Sequence, residues 1–147
     1  MKSISKLKKE LDKWFSLYIR LRSADDNGNN QCCTCGKIDN WRSLQCGHFV
    51  SRRYLATRFH EANCFPQCVS CNVFKYGEQW KFGHFLDTNF GEGLANELVV
   101  LGHTTLKIGK TEYEEKISYY KEAVILPCAN SSPKKSQPKV DTIIILK

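Results

Sequence analysis

The sequence predicts an α+β fold in which a small core is held together by one zinc ion and flanked by N-terminal and C-terminal helices. Two Cys-x-x-Cys pairs, Cys32/Cys35 and Cys68/Cys71, supply four thiolates, which is a complete tetrahedral shell for Zn²⁺. Apolar residues recur at helical spacing on both sides of this region. Between the pairs, short apolar stretches alternate with turn residues, which is typical of strands and hairpins.

The N-terminal segment, residues 1–30, is predicted to be an amphipathic helix followed by a connector. Apolar residues recur at helical spacing over residues 3–22, and Ser3 stands where an N-cap is expected. The connector is rich in turn-forming residues, with the sequence SADDNGNN.

Residues 31–90 are predicted to form the zinc-stapled core. We expect a knuckle, a strand or hairpin up to residue 50, a basic loop or short helix over 51–58, a second strand near 59–65, and a helix that starts around Cys68. A break in this helix is expected near Gly77. Its buried side is expected to carry several apolar residues, namely Val69, Val73, Phe74, Trp80, Phe85 and Leu86. The tryptophans Trp14, Trp41 and Trp80 are all expected in the core.

Residues 91–127 are predicted to be a helical extension. Leu94, Leu98 and Leu101 are its first apolar positions, and a further helix is expected over about 111–126, with Thr111 and Glu114 as a capping box. The final part, residues 128–147, is rich in serine, proline and lysine and is predicted to be a flexible tail. Its apolar end, Ile143 to Leu146, has no assigned role.

The charge of the chain favours a polyanionic partner such as DNA. It has 22 basic and 15 acidic side chains, a net charge of +7 and a pI near 9.0. Solubility alone is the alternative explanation, but the distribution argues against it. No acidic residue lies between Asp39 and Glu61, whereas four arginines surround His48 in this stretch. A phosphate backbone requires such a basic cluster; its members are Arg42, Arg52, Arg53 and Arg58.

We expect a cytoplasmic protein that does not associate with a membrane. The first 13 residues are too charged to contain the apolar region of a signal peptide, and no apolar run reaches the roughly 18–20 residues that span a bilayer. In the cytoplasm, paired cysteines are more often metal ligands than disulfides. The four other cysteines are expected to be reduced and unligated, unless one substitutes in the zinc shell: Cys33, Cys46, Cys64 and Cys128.

The two pairs fit the two halves of a treble-clef zinc site. Cys32 and Cys35 lie on a tight turn that Gly36 assists, and Cys68 and Cys71 are expected in the first turn of a helix, where free N–H groups favour thiolates. The 33 positions between the pairs exceed the spacing of the simplest zinc ribbons. A functional element can therefore lie between the two halves.

Three polar residues in this framework, His48, Asn63 and Asn72, have the chemistry of a phosphodiesterase. Cleavage of a phosphodiester requires an activated water, neutralised phosphate oxygens and a stabilised leaving group, which one imidazole and one divalent cation can provide. A histidine base works best when its other ring nitrogen is held by an acceptor. Mg²⁺ prefers oxygen ligands such as an amide and keeps several waters.

The spacings of this trio, 15 and 9 residues, with Asn72 directly after the last zinc cysteine, resemble those of the HNH (ββα-metal) nucleases in an endonuclease VII-like His-Asn-Asn arrangement. The segments Gly47-His48-Phe49, Arg58 to Asn63 and Gln67 to Asn72 more closely resemble the phage lambda NinG/Rap recombination endonucleases. The resemblance implies that His48 is the general base, that Asn63 holds or positions it, and that Asn72 binds a catalytic Mg²⁺ or Mn²⁺. Phosphate contacts are then expected from four basic side chains: Arg52, Arg53, Arg58 and Lys75.

One position departs from the wider HNH pattern. Many members carry Asp or His as a metal ligand directly before the base, where this chain has Gly47. The second ligand of the catalytic metal is therefore unassigned, and the candidates are Gln45, Cys46 and Glu61.

The resemblance implies a structure-specific endonuclease that cuts branched DNA such as Holliday junctions, and that acts as a homodimer because a junction has two strands to cut. Two other functions stay open at this point. One is an HNH nuclease that nicks DNA without preference for junctions, and the other is a zinc module that binds DNA without cutting it.

Overall fold

The computed structural model describes residues 2–126, which form helices and two small antiparallel sheets and so confirm the predicted α+β class. A 3-10 turn, Glu61–Asn63, lies directly before the last strand, and a π-helical turn, Ser70–Phe74, follows it. The helices and strands, in chain order, are α1 (Ile4–Leu21), β1 (Asn29–Gln31), β2 (Ile38–Asn40), β3 (Leu44–His48), α2 (Leu55–Arg58), β4 (Cys64–Cys68), α3 (Gln79–Phe90), α4 (Leu94–Gly102) and α5 (Lys110–Ile125).

The two sheets are hairpin-like pairs of strands. In the first, β1 pairs with β2, and residues 32–37 form the loop that joins them. In the second, β3 pairs with β4 so that Leu44 lies opposite Cys68 and His48 lies opposite Cys64. The start of β3 is therefore next to the second cysteine pair, and its end carries His48.

Helix α1 has the boundaries and the cap that the sequence predicts. The Ser3 hydroxyl accepts a hydrogen bond from the Lys6 amide at 3.4 Å. Its buried residues recur every fourth position, and they pack against the buried side of α5, so the two ends of the described chain share one core. The buried residues are Leu7, Leu11, Phe15 and Ile19 on α1, and Tyr113, Ile117 and Tyr120 on α5.

The predicted capping box on α5 is wrong. The helix begins one residue earlier than expected, at Lys110, and Gly109 is its N-cap with no side-chain hydrogen bond. Thr111 is therefore already inside the first turn, where its hydroxyl cannot act as the cap.

A second core lies under α3 and α4 and contains Phe65, Phe82, Leu86, Leu94 and Leu98. It is bounded on one side by the loop that follows His48, since Val50 is one of its members. A Cβ added at Gly102 of α4 would lie 2.7 Å from a Val50 methyl carbon, so this glycine permits the close approach.

The second predicted strand and the helix after it are shifted. Residues 61–63 form a turn, and the strand runs over Cys64–Cys68 rather than 59–65. The expected break near Gly77 is confirmed, because Tyr76, Gly77 and Glu78 all have positive φ, at 52°, 86° and 49°. A right-handed helix cannot continue through three such residues, so α3 begins only at Gln79.

This break exposes residues that the sequence placed on a buried side. Phe74 is 74% exposed and Trp80 is 79% exposed, and Val69 and Val73 are exposed as well. The prediction that Trp80 is a core aromatic is therefore wrong. After the reversal at residues 76–78, the core side of α3 is occupied by Leu86, as predicted, and by Phe82.

The predicted tail of residues 128–147, with Cys128, lies outside the described residues. Among residues 2–126, no helix combines the length and the apolar character that crossing a bilayer requires.

Candidate functional site

The two predicted cysteine pairs converge in space. Cys32 and Cys35 lie in the β1–β2 loop, Cys68 ends β4, and Cys71 lies in the π-helical turn. The four Sγ atoms all lie within 4.8 Å of one another, and those of Cys35 and Cys68 are 3.8 Å apart. Tetrahedral zinc with Zn–S bonds of about 2.3 Å requires sulfur separations of about 3.8 Å. The four-cysteine cluster, as we call these residues, could therefore hold a zinc ion.

The surroundings of Cys32 favour a thiolate. Burial alone raises its pKa, but hydrogen bonds from the Thr34 hydroxyl and from nearby backbone amides outweigh burial and lower the pKa to about 6. Because thiolates are the form that binds zinc, Cys32 is the cysteine of this loop that is best prepared for a metal, whereas the pKa of Cys35 is raised.

A cleft of about 440 Å³ lies between α1, β3 and the π-helical turn. It brings together His48 and Asn72, two of the three residues that the sequence singled out. Its wall combines basic, acidic, amide and thiol side chains, and the lining residues are Asp12, Phe15, Ser16, Arg20, Arg42, Leu44, Gln45, Cys46, His48, Arg52 and Asn72.

His48 ends β3 and has the electrostatics of a base. Its Nε2 atom lies 3.0 Å from the Arg58 carbonyl oxygen. Because a carbonyl only accepts, Nε2 carries the proton, and in the neutral ring Nδ1 keeps the free lone pair. Burial lowers the pKa of His48 and the charges of Arg52 and Arg58 lower it further, against the bond to the carbonyl. The ring is therefore neutral near pH 7 and able to accept a proton.

Asn63 is fully buried, and its hydrogen bonds go to the loop that follows His48. Its Oδ1 accepts from the Val50 amide at 2.7 Å, and its Nδ2 donates to the carbonyls of Val50 and Thr57 at 3.0 and 3.1 Å. The same loop leads to Arg58, whose carbonyl contacts His48. Asn63 therefore acts on the loop around His48 rather than on the imidazole directly.

Asn72 lies in the π-helical turn, directly after the last cysteine of the cluster. Its Nδ2 donates to Gln45 Oε1 at 2.7 Å. This bond fixes the amide plane and turns Oδ1, the atom that would bind a cation, away from Gln45.

The basic side chains differ in their surroundings. Arg52 is exposed and lines the cleft, and Arg53 is exposed and lies over the Tyr54 ring at 4.7 Å. Arg58 is half-buried and is held by the Asp12 carboxylate through its Nε and Nη2 atoms. Lys75 is exposed outside the cleft lining and pairs with Glu78 at 3.4 Å. Of these four side chains, Arg52 is the one that is both exposed and part of the cleft wall.

Helix α1 contributes three polar residues to the cleft that were not predicted from the sequence. Asp12, Ser16 and Arg20 recur every fourth position and directly follow the buried residues Leu11, Phe15 and Ile19. This row of polar residues beside the buried row of α1 was the pattern in the sequence that could have identified them. Arg20 also fixes the helix against β3, since its Nη1 donates to the carbonyls of Trp41 and Leu44 at 3.2 and 3.4 Å.

Of the three candidates for the second metal ligand, Glu61 lies elsewhere. Its carboxylate accepts from the Tyr18 and Tyr120 hydroxyls at 3.0 and 3.3 Å and pairs with Arg22 at 3.3 Å, so it joins α1 to α5. Gln45 and Cys46 both line the cleft.

A family model matches nearly the same residues as the structure describes. The family model described as Bacteriophage Lambda NinG protein matches residues 1–126, which includes both cysteine pairs and every residue of the cleft. Neither the curated proteins nor the solved structures gave a match.

Proposed function

Because this chain belongs to the bacteriophage lambda NinG family, we propose that it is a metal-dependent DNA endonuclease that hydrolyses phosphodiester bonds in branched DNA during recombination. The observation that carries the proposal is the cleft that holds a neutral imidazole, an oriented amide and exposed arginine together. The imidazole can activate the water, the amide can hold the cation that stabilises the leaving group, and the arginine can neutralise the phosphate oxygens.

The order of the elements around the cleft supports an HNH core of the ββα-metal type. Strands β3 and β4 pair antiparallel, and the helical turn Ser70–Phe74 follows β4 directly. His48 is at the end of the first strand and Asn72 is in the turn, which are the positions that the resemblance requires. In this proposal the four-cysteine cluster is structural and fixes the turn that carries Asn72.

His48 acts as the general base in the proposed reaction. Its Nδ1 lone pair takes the proton of the attacking water, while the Arg58 carbonyl holds the Nε2 proton and so fixes the orientation of the ring. Asn63 keeps that carbonyl in place through the loop. Arg52 and Arg42 neutralise the phosphate oxygens.

The cleft suits a hard cation. Asn72 would hold it through Oδ1, with Asp12 as a further oxygen donor and with space for the waters that Mg²⁺ keeps. Bound Mg²⁺ or Mn²⁺ would stabilise the negative charge that develops on the phosphate and on the leaving oxygen.

The test is cleavage of a synthetic four-way junction and of a linear duplex of the same composition in Mg²⁺ or Mn²⁺. Wild type is expected to cut the junction faster, and His48→Ala is expected to lose on the order of 10²- to 10⁴-fold in rate. His84→Ala is the matched control, since His84 is exposed on α3 outside the cleft.

Equal cleavage of junction and duplex would indicate a nicking nuclease. Salt-sensitive binding without cleavage would indicate a DNA-binding module and would refute the proposal. Sedimentation of the free protein tests the homodimer.

A further inference from the structure

We propose that Cys46, His48 and Cys64 form a second metal site, separate from the four-cysteine cluster, that takes Zn²⁺ or a similarly soft divalent cation and thereby switches off the base. The binding of the metal is independent of the proposed function. Only the inhibition rests on it.

The β3–β4 pairing creates this Cys–His–Cys cluster. Cys46 and His48 are two residues apart on β3, so they project from the same face of the strand. His48 lies directly opposite Cys64 on β4. The two Sγ atoms and a ring nitrogen of His48 all lie within 4.8 Å of one another.

The donor set differs in kind from that of a magnesium site. Two sulfurs and one imidazole nitrogen suit zinc, whereas magnesium requires oxygen ligands. Three protein ligands with a fourth position left open are typical of accessible zinc sites. Here Cys46 and His48 line the cleft and Cys64 is fully buried behind them, so the cluster opens towards the cleft.

The surroundings of Cys64 favour a neutral thiol that loses its proton when it binds a metal. The thiol is fully buried, and its Sγ atom lies 3.9 Å from the Arg58 carbonyl oxygen, which is also the partner of His48. A lone thiolate at this position would be an unpaired buried charge. Two thiolates around one divalent cation are neutral as a group, so metal binding removes that cost and releases the thiol protons.

Occupation of this site prevents His48 from acting as a base. A neutral imidazole has one lone pair, and a metal that binds the ring takes it while the other nitrogen carries the proton. The ring then has no free position for a proton from water. Zinc in excess of the structural ion is therefore expected to inhibit cleavage.

The experiment counts metal ions. The purified protein with one zinc per chain is titrated with further Zn²⁺ against a chromogenic chelator, and in parallel with Co²⁺, whose absorption reports thiolate ligands and tetrahedral geometry. Wild type is expected to take a second equivalent and to develop the Co²⁺ bands. Cys46→Ala, which changes a half-buried ligand and leaves His48 in place, is expected to lose both. Cys33→Ala is the matched control and is expected to keep both, because Cys33 belongs to neither cluster.

The outcomes separate the two parts of the inference. If wild type binds only one zinc, or if Cys46→Ala binds the second as well as wild type, the site does not exist. If the second zinc binds to wild type and inhibits its junction cleavage over the same range of zinc concentration, both parts hold; if it binds without inhibiting cleavage, the site stands and the inhibition fails. If the second zinc binds to a protein that cuts no DNA even with one zinc and Mg²⁺, the site stands and the proposed function fails. Circular dichroism of Cys46→Ala verifies that the variant is folded.

Discussion

Asp12 holds the guanidinium group of Arg58 through two hydrogen bonds, 2.9 Å from Nε to Oδ1 and 2.6 Å from Nη2 to Oδ2. The backbone carbonyl of the same arginine contacts His48 Nε2 at 3.0 Å. Helix α1 is therefore linked to His48 through a single residue, Arg58. The N-terminal helix, which the sequence presents as a separate element, is part of the wall of the cleft.

We expect Asp12→Asn to destabilise the protein by about 1–3 kcal/mol, because the substitution removes a two-pronged, charge-assisted bond between groups that are largely shielded from water. DNA cleavage should fall as well, since Arg58 then loses its anchor. Urea unfolding and junction cleavage measure the two effects. Asp39→Asn is the control, because that carboxylate pairs with exposed Lys37 away from the cleft. Equal stability of the two variants would contradict the role given to Asp12.

Asn63→Ala is expected to destabilise the protein by about 3 kcal/mol, because it leaves the buried amide and carbonyl of Val50 without their side-chain partner. It also removes one bond to the Thr57 carbonyl, which keeps its bond from the His60 amide. The loop between His48 and Arg58 should then lose its protection against amide exchange. Asn89→Ala, which removes a single bond from an exposed side chain to the Phe85 carbonyl, should have almost no effect. Unchanged exchange over residues 50–58 in Asn63→Ala would argue that this loop is held by other contacts.

Local patterns were sufficient to predict the convergence of the two cysteine pairs and helix α1. Each depends on spacing within one short segment, such as Cys68 to Cys71 or the four-residue period of Leu7, Leu11 and Phe15. The surroundings of the cleft depend on packing between distant segments. Asp12 is an ordinary polar residue of a helix until α1 packs beside β3, and no local pattern encodes that arrangement.

The exposure of Phe74 and Trp80 was not predictable for a different reason. Both residues fit the apolar period of a continuous helix. A break at Gly77 alone would interrupt that period at a single position. In the structure Tyr76 and Glu78 also have positive φ, although neither is glycine. Three consecutive residues in this conformation reverse the chain, and the segments on the two sides no longer share one buried face.

Gly47→Ala is expected to destabilise the protein by about 1–3 kcal/mol through overpacking. A Cβ at this position would lie 2.2 Å from Gln67 Oε1, and Gln67 is fully buried and held by its Nε2 bonds to Thr34 Oγ1 and the Gly77 carbonyl. The same contact explains why no acidic ligand stands here, since Asp would collide in the same way.

A double-mutant cycle checks this explanation. In the Gln67→Ala background the colliding side chain is absent, so adding Gly47→Ala should cost much less than it does in wild type. Gly109→Ala is the control, because a Cβ there meets nothing within 4 Å. Additive costs of Gly47→Ala and Gln67→Ala would show that the collision is not the cause.

Protein stability should fall as the pH drops below about 6.5. Burial lowers the pKa of both His48 and His60 from the ordinary value of 6.5. Below that value the unfolded chain binds protons that the folded chain does not, so protonation favours unfolding until the folded pKa is reached. His48→Gln and His60→Gln should each reduce the loss of unfolding free energy between about pH 7 and pH 5.5, as measured by urea unfolding. A loss as large as that of wild type in both variants would contradict this assignment.

Removal of zinc from the four-cysteine cluster is expected to unfold its surroundings locally. Leu44 is the only residue besides three of the cysteines in the small buried cluster there, whereas α1 with α5 and α3 with α4 have separate apolar cores in the described chain. We therefore expect the β1–β2 loop and the π-helical turn to depend on a metal bound at this cluster, and the helices to be independent of it.

Cys35→Ser tests this with little disturbance of packing, because Cys35 is exposed. The variant should lose zinc, and hydrogen exchange should speed up over residues 29–40 and 68–77 while α1 and α5 keep their protection. Cys33→Ser, which leaves all four ligands in place, should show neither change. Cleavage should also be lost in Cys35→Ser, because Asn72 lies in the segment that unfolds. Protection of residues 68–77 in the zinc-free variant would mean that the turn carrying Asn72 is held by the protein alone.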